Sequence, residues 1–276
     1  LEGGAMRGLF SAGVMDVMME NGIRFDGIIG VSAGAAFGVN YKSGQMGRAL
    51  RYNTRYCHDK HYCGIGSLLR TGNLFNTEFC YNEVPLKLDV FDFNAFERDP
   101  TAFYITCTDV ESGKPVYHEY CGRKDHGFDW IRASASLPVV SQMVEIDGLK
   151  LLDGGIADSI PVAYFERIGY TKNVVILTQP QGYQKEKNQL LPLIRVKYRH
   201  YPNLVKALET RHLMYNAELE LIAEQENRGN LFVIRPHSSL PVKRMEKDPA
   251  KLKTCYEMGR RAAETAQERL LAFLKK

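Results

Sequence analysis

Residues 25–31, apolar apart from Asp26, form a run that ends on Gly30-Val31, and Ser32 follows at once, before the small residues Ala33-Gly34-Ala35-Ala36. The run reads as a short buried strand and the small residues as the start of a helix, so one polar residue occupies a sharp strand-to-helix turn. That turn is sterically demanding, and flanking glycines at 30 and 34 let neighbouring backbone pass without a Cβ clash. Gly30 to Gly34 therefore matches the G-x-S-x-G pattern of a nucleophile elbow. In such an elbow the hydroxyl is exposed beside the first amides of a helix, whose dipole favours developing negative charge. A helix-capping serine is the plain alternative for so short a pattern. Its place between an apolar strand and an Ala-rich helix favours the elbow.

Two other glycine-containing segments bear on the chemistry. Gly3, Gly4 and Gly8 bracket Ala5, Met6 and Arg7, a loop whose unhindered amides can converge on an oxyanion. Taken alone, this loop reads as a tight strand-to-helix turn. A nucleotide-phosphate loop fits poorly, since neither G-x-G-x-x-G nor a terminal Lys-Ser/Thr is present. Asp153-Gly154-Gly155 reads by itself as a turn. Beside a nucleophilic serine, a carboxylate at a strand end flanked by glycines is a candidate general base.

Along the rest of the chain, turn signals separate helical and strand-like segments without repeats. Residues 9–20 read as a helix and 45–100 as helical and loop-rich. Strands are expected at 102–108 and 116–120, a helix at 128–136, and a hairpin turning at Asp147-Gly148 between 143–146 and 150–152. Further strands at 174–178 and 231–235 accompany long helices at 203–227 and 249–275. This alternation predicts an α/β fold with three layers, helices covering both faces of a mostly parallel central sheet. One domain is expected over 1–276, with the motifs in about 1–180 and a helical part in about 181–276.

Composition sets outer limits. The 276 residues are 45% apolar and 25% charged, ordinary for a globular chain with a sizeable core. A net charge of +4 is too small for a dedicated nucleic-acid binder, and no nucleic-acid partner is expected. No stretch is long and apolar enough for a membrane-spanning helix, which leaves at most contact with a membrane surface. Six scattered cysteines in a chain of this size favour reduced thiols and a cytoplasmic setting. The chain opens on Leu1 rather than Met, which leaves room for residues upstream.

Together the motifs resemble those of patatin-like phospholipases, most closely the bacterial members. That family carries an acidic-Gly-Gly-Gly-x-Arg/Lys-Gly loop, an early G-x-S-x-G elbow and a distant Asp-Gly-Gly/Ala element. Here they read Glu2-Gly3-Gly4-Ala5-Met6-Arg7-Gly8, Gly30 to Gly34, and Asp153-Gly154-Gly155. Arg132-Ala133-Ser134-Ala135-Ser136-Leu137-Pro138 also resembles the family's Ala-Ser-x-x-x-Pro segment. The motifs span roughly residues 1–165. The resemblance implies a patatin-like fold and hydrolysis of lipid acyl esters through an acyl-enzyme, with Ser32 as nucleophile and Asp153 as general base. It implies an oxyanion hole from the Gly3, Gly4, Ala5, Arg7 and Gly8 loop, and neither cofactor nor metal. Ala5 replaces the third glycine, and its Cβ restricts positive φ.

Other readings compete. An α/β-hydrolase triad would follow the order Ser32, Asp153, then His200, His212 or His237, but the elbow comes early for that architecture. A catalytically weak scaffold that binds lipid or protein is a different class. The segment 194–212 mixes Arg195, Lys197, Arg199, Lys206 and Arg211 with apolar residues, which suits either a solvated helix surface or peripheral contact with anionic lipid. Cys57, His58, His61 and Cys63 are potential zinc ligands, yet so short a segment rarely wraps a tetrahedral ion. Leu68, Leu69, Leu74 and Phe75 are candidates for lining an acyl-chain site, and core packing explains them equally well.

Overall fold

The computed structural model describes residues 1–275. Its first helix, α1 (Gly8–Glu20), is buried over nearly its whole length because it is apolar almost all round. It packs against α2 (Ala33–Lys42) and along the C-terminal α10 (Pro249–Lys275). Leu252, Cys255 and Ala263 of α10 share one hydrophobic core with Leu9, Phe10 and Val14 of α1.

Strand β1 (Gly27–Val31) pairs in parallel with β2 (Ala102–Asp109), from Gly27 opposite Ala102 to Val31 opposite Thr106. Strand β3 (Pro115–Glu119) runs antiparallel along the other edge of β2. The hairpin of β4 (Val144–Ile146) and β5 (Leu149–Asp153) turns at Asp147 and Gly148, both with positive φ as a type I′ turn requires. Strands β6 (Asn173–Ile176) and β7 (Leu231–Ile234) form a further parallel pair. Leu1 and Glu2 bridge this pair to β1. The Leu1 nitrogen donates to Ile29 O at 2.8 Å, Val31 N donates to Leu1 O, and Glu2 N donates to Ile176 O. The centre of the sheet is thus parallel, its antiparallel members lie around β2, and helices surround it, the α/β architecture expected from the sequence.

One consequence of the register places the chemistry. Residues 104–106 of β2 pair with both β1 and β3, and residues 107–108 with both β3 and β5. Since a strand has two edges, β1 and β5 share the edge opposite β3. They run in opposite directions along it and meet end to end, with Val31 at Thr106 and Asp153 at Cys107.

Between β1 and β2 lie α3 (Arg48–Tyr56), α4 (Ile65–Thr71), a π-helical segment (Phe79–Leu88) and α5 (Phe93–Arg98). Helix α6 (Asp129–Ser134) falls within the expected span, and α9 (Pro202–Asn227) packs on β7. Helix α7 (Val162–Arg167) was not anticipated, and α8 (Leu191–Lys197) lies in the part expected to be helical but without bounds of its own. Each spans about two turns, too short for helical periodicity to show in the sequence.

Candidate active site

Ser32 lies between β1 and α2 with φ +55° and ψ −122°, outside the regions where side-chain-bearing residues settle. The glycines around it are there for space. A Cβ on Gly30 would come within 2.6 Å of the Ala35 backbone, and one on Gly34 within 2.5 Å of Leu1 O. The strained turn is held from outside the motif. Ser32 N donates to Ser134 Oγ at 2.8 Å, and that hydroxyl donates to Thr106 O at 2.6 Å.

Asp153 ends β5 and is 2% exposed. Its backbone N–H donates to Ser136 O at 2.9 Å, so residues 134 and 136 of one segment pin both the serine and the aspartate. Thr108 Oγ1 donates to Asp153 O, and Asp153 Oδ1 accepts from Gly155 N at 2.8 Å. Gly154 passes so close to β2 that a Cβ would sit 2.0 Å from Thr106 O. The remaining carboxyl oxygen, Oδ2, is buried without a hydrogen-bond partner. Burial pushes the Asp153 carboxyl above the usual carboxylate range, opposed by the positive charge of Arg211 and by the neighbouring Ser32 hydroxyl.

The glycine loop runs beside this pair. Gly3 and Gly4 follow the Leu1-Glu2 bridge, residues 5–7 form a single 3₁₀ turn, and α1 begins at Gly8. Glu2 anchors the loop. Its carboxylate, 4% exposed, accepts from Thr178 N and from the Tyr215 hydroxyl of α9, each at 2.6 Å. Thr178 Oγ1 also donates to Gly3 O at 2.9 Å. Ala5 occupies φ +51°, the left-handed conformation its Cβ disfavours.

Ser32 stands between two cavities. One, about 120 Å³, is mainly apolar and lies under α2, α3 and the π-helical segment, with Phe37, Tyr52, Tyr62, Tyr81 and Val84 in its wall. The other is lined by Gly3, Gly4 and Gly155 together with the charged side chains of Arg7, Asp153 and Arg211. They have Ala5, Ser32 and Leu137 in common. An ester carbonyl at Ser32 would therefore have an apolar space on one side and a charged one on the other.

Comparison with known proteins bears on the family. Residues 1–166 match the family model described as patatin-like phospholipase, and residues 201–275 match a domain of unknown function (DUF6363). The chain belongs to the patatin-like phospholipase family. Among relatives, the uncharacterized protein YjjU of Escherichia coli K12 is 32% identical over 65% of this chain and 51% of its own length. An uncharacterized NTE family protein of Mycobacterium tuberculosis H37Rv, Rv1063c, is 28% identical over 59% of this chain and 43% of its own. The lysophospholipase nte1 of Aspergillus fumigatus is 28% identical over 61% of this chain and 11% of its own. The chain spans about half or less of the length of these curated relatives.

Within this patatin-like chain, the residues singled out from the sequence do not all gather at the site. Ser32, Asp153, Gly3, Gly4, Ala5, Arg7 and Gly155 line the charged cavity. Gly30, Gly34 and Gly154 support the turns, and Gly8 packs where a Cβ would lie 2.9 Å from Ala33. His200, His212 and His237 line neither cavity, and His200 accepts from the Arg199 side chain at 3.0 Å. Cys57 and Cys63 turn inward while His58 and His61 are exposed, and among the described residues these four do not converge. Among the described residues no helix is long and apolar enough to cross a membrane.

The expected acyl-site lining needs correction. Phe75 is in the apolar wall, but Leu69 is 83% exposed on α4, and neither Leu68 nor Leu74 reaches the cavity. The wall is built instead by α2, α3 and Cys80, Tyr81, Val84 and Pro85 of the π-helical segment. These last four recur at helical spacing, a signal the sequence did carry. Ser134, which fixes the elbow, carries no signal beyond its place in the Ala-Ser-x-x-x-Pro segment.

Proposed function

We propose that this protein hydrolyses acyl esters of lipids, with Ser32 as nucleophile and Asp153 as general base. The observation that carries the reading is a strained, partly exposed serine at the junction of an apolar cavity and a charged chamber, beside a buried carboxylate with one free oxygen. The name lysophospholipase borne by fungal relatives supports lipid acyl esters as the substrate class.

In this scheme the acyl chain occupies the apolar cavity. The Ser32 hydroxyl passes its proton to Asp153 as Oγ attacks the ester carbonyl, and the oxyanion forms against the amides of Gly4 and Ala5. The tetrahedral intermediate collapses to an acyl-Ser32 ester while Asp153 returns the proton to the departing alcohol. Water then gives a proton to Asp153 and adds to the acyl carbon. The second collapse frees the carboxylic acid, and the proton returns to Ser32 Oγ. A raised Asp153 pKa suits a base that must hold a proton between these steps.

Contact with a lipid surface fits the rim of the site. Ile65 and Leu69 of α4, and Leu193 and Val196 of α8, are exposed. Both helices border residues 139–142, α4 through Gln142 Nε2 on Thr71 O and α8 through Lys197 Nζ on Val139 O. Lys197 adds positive charge there, while Arg195 is paired with Glu209 at 2.6 Å. The catalytic reading is tested by hydrolysis of p-nitrophenyl butyrate and oleoyl-lysophospholipid by the parent, Ser32→Ala and Asp153→Asn. Loss of about 10³-fold or more in both variants is expected, and full activity in either contradicts the assigned roles.

A further inference from the structure

Four cationic side chains converge on the charged chamber beside Ser32. Arg7 comes from the glycine loop, Lys185 from the segment after β6, Arg211 from α9 and Arg244 from the segment before α10. Two carboxylates line the same space, and both have other work. Glu2 is held by Thr178 and Tyr215, and Asp153 serves as the base. Arg7 Nε is buried without a partner. Arg211 donates one N–H to Gly155 O and otherwise faces the chamber. Burial, followed by repulsion from Arg211 and Arg244, pushes the Lys185 ammonium down to about 8. Arg244 is lowered in the same way, by burial and then by Arg7 and Arg211. Crowding like charges in a partly desolvated space is unfavourable until a ligand brings negative charge. Lys185, Arg211 and Arg244 lie beyond the patatin-matched residues, the last two inside the C-terminal domain of unknown function.

The apolar cavity takes the acyl chain, so the charged chamber receives the alcohol side of the ester. We propose that it is a phosphate subsite supplied largely by the C-terminal third. The preferred substrate is then an acyl ester whose alcohol carries a net anionic phosphate group, rather than a neutral glyceride or a choline-type zwitterion. This assignment rests on the hydrolase reading above. A quaternary ammonium would add positive charge to a chamber where cations already outnumber carboxylates.

The test compares oleoyl-lysophosphatidate, oleoyl-lysophosphatidylcholine and monooleoylglycerol in mixed micelles of one neutral detergent. The expected kcat/KM for lysophosphatidate exceeds the other two by about ten-fold or more, the worth of one charge-assisted contact. Lys185→Gln and Arg244→Gln should each lower the phosphate ester more than the neutral one. Equal losses on all three substrates, or a parent chain that favours the neutral or zwitterionic ester, overturn the proposal. Calorimetric titration with inorganic phosphate reads the subsite without turnover, and binding that weakens in Arg244→Gln is expected. Phosphate binding without headgroup preference assigns the chamber to free phosphate and refutes the substrate claim. Phosphate binding with no ester hydrolysis at all removes the hydrolase reading, and the substrate claim with it.

Discussion

Replacing Ser134 with alanine tests how the nucleophile is held in place. Ser134 is fully buried, its Oγ accepting from Ser32 N at 2.8 Å and donating to Thr106 O at 2.6 Å. Alanine leaves the Ser32 amide without that acceptor and the Thr106 carbonyl without that donor. An orphaned buried N–H costs about 1–3 kcal/mol and the second lost bond about 1 kcal/mol more, for a total of roughly 2–4 kcal/mol. At roughly 2–4 °C per kcal/mol in a protein of this size, Tm should fall by about 4–16 °C. The same contact holds Ser32 at φ +55° and ψ −122°, so its loss allows the turn to relax. Misplacing a nucleophile by about 1 Å costs on the order of 10²-fold in rate. Thermal unfolding and the rate constant of fluorophosphonate labelling, measured well below Tm, give both quantities. A Ser134→Ala chain that labels at the parent rate and melts at the parent temperature refutes this account of the elbow.

Three further outcomes are expected. Asp153 must be ionised to accept a proton and burial raises its pKa, so the acid limb of kcat/KM should inflect above about 3.9, the ordinary aspartate value. An inflection at or below that value contradicts the assignment. Glu218 of α9 is pushed up to about 9 by burial and by Asp158. The folded chain thus keeps a proton the unfolded chain releases, and stability from this group is lost as pH rises from about 4.3 toward 9. Glu218→Gln should flatten the fall in Tm over that window, and an unchanged pH slope would speak against it. Replacing Ile65 and Leu69 together by serine should reduce sedimentation with anionic liposomes, and unaltered sedimentation would move the lipid contact elsewhere.

Local chemistry was legible in the sequence, and geometry between distant segments was not. Gly30 to Gly34 betrays its turn because the steric demand is met by adjacent residues. The hairpin at Asp147-Gly148 reads just as directly, both residues adopting positive φ. Asp153 is different. Its flanking glycines make it a candidate base, but nothing near it in the chain says that β5 abuts β1 along one edge of β2. The Ser134 contact crosses from α6 to the elbow, and Arg244 reaches the chamber from the segment before α10. Leu69 was misjudged because hydrophobicity alone does not reveal which face of a short helix meets solvent. The strain at Ala5 was readable as a restriction on φ, and the loop adopts the conformation the side chain disfavours.

The central claim is that Ser32 is a nucleophile activated by Asp153. Fluorophosphonate labelling followed by peptide mapping tests it most directly, with the folded parent, Ser32→Ala and Asp153→Asn treated alike. The account predicts a single adduct on the peptide carrying Ser32, none in Ser32→Ala, and labelling slowed by about 10²-fold or more in Asp153→Asn. A folded parent chain that does not label, or an adduct that persists in Ser32→Ala, would contradict it.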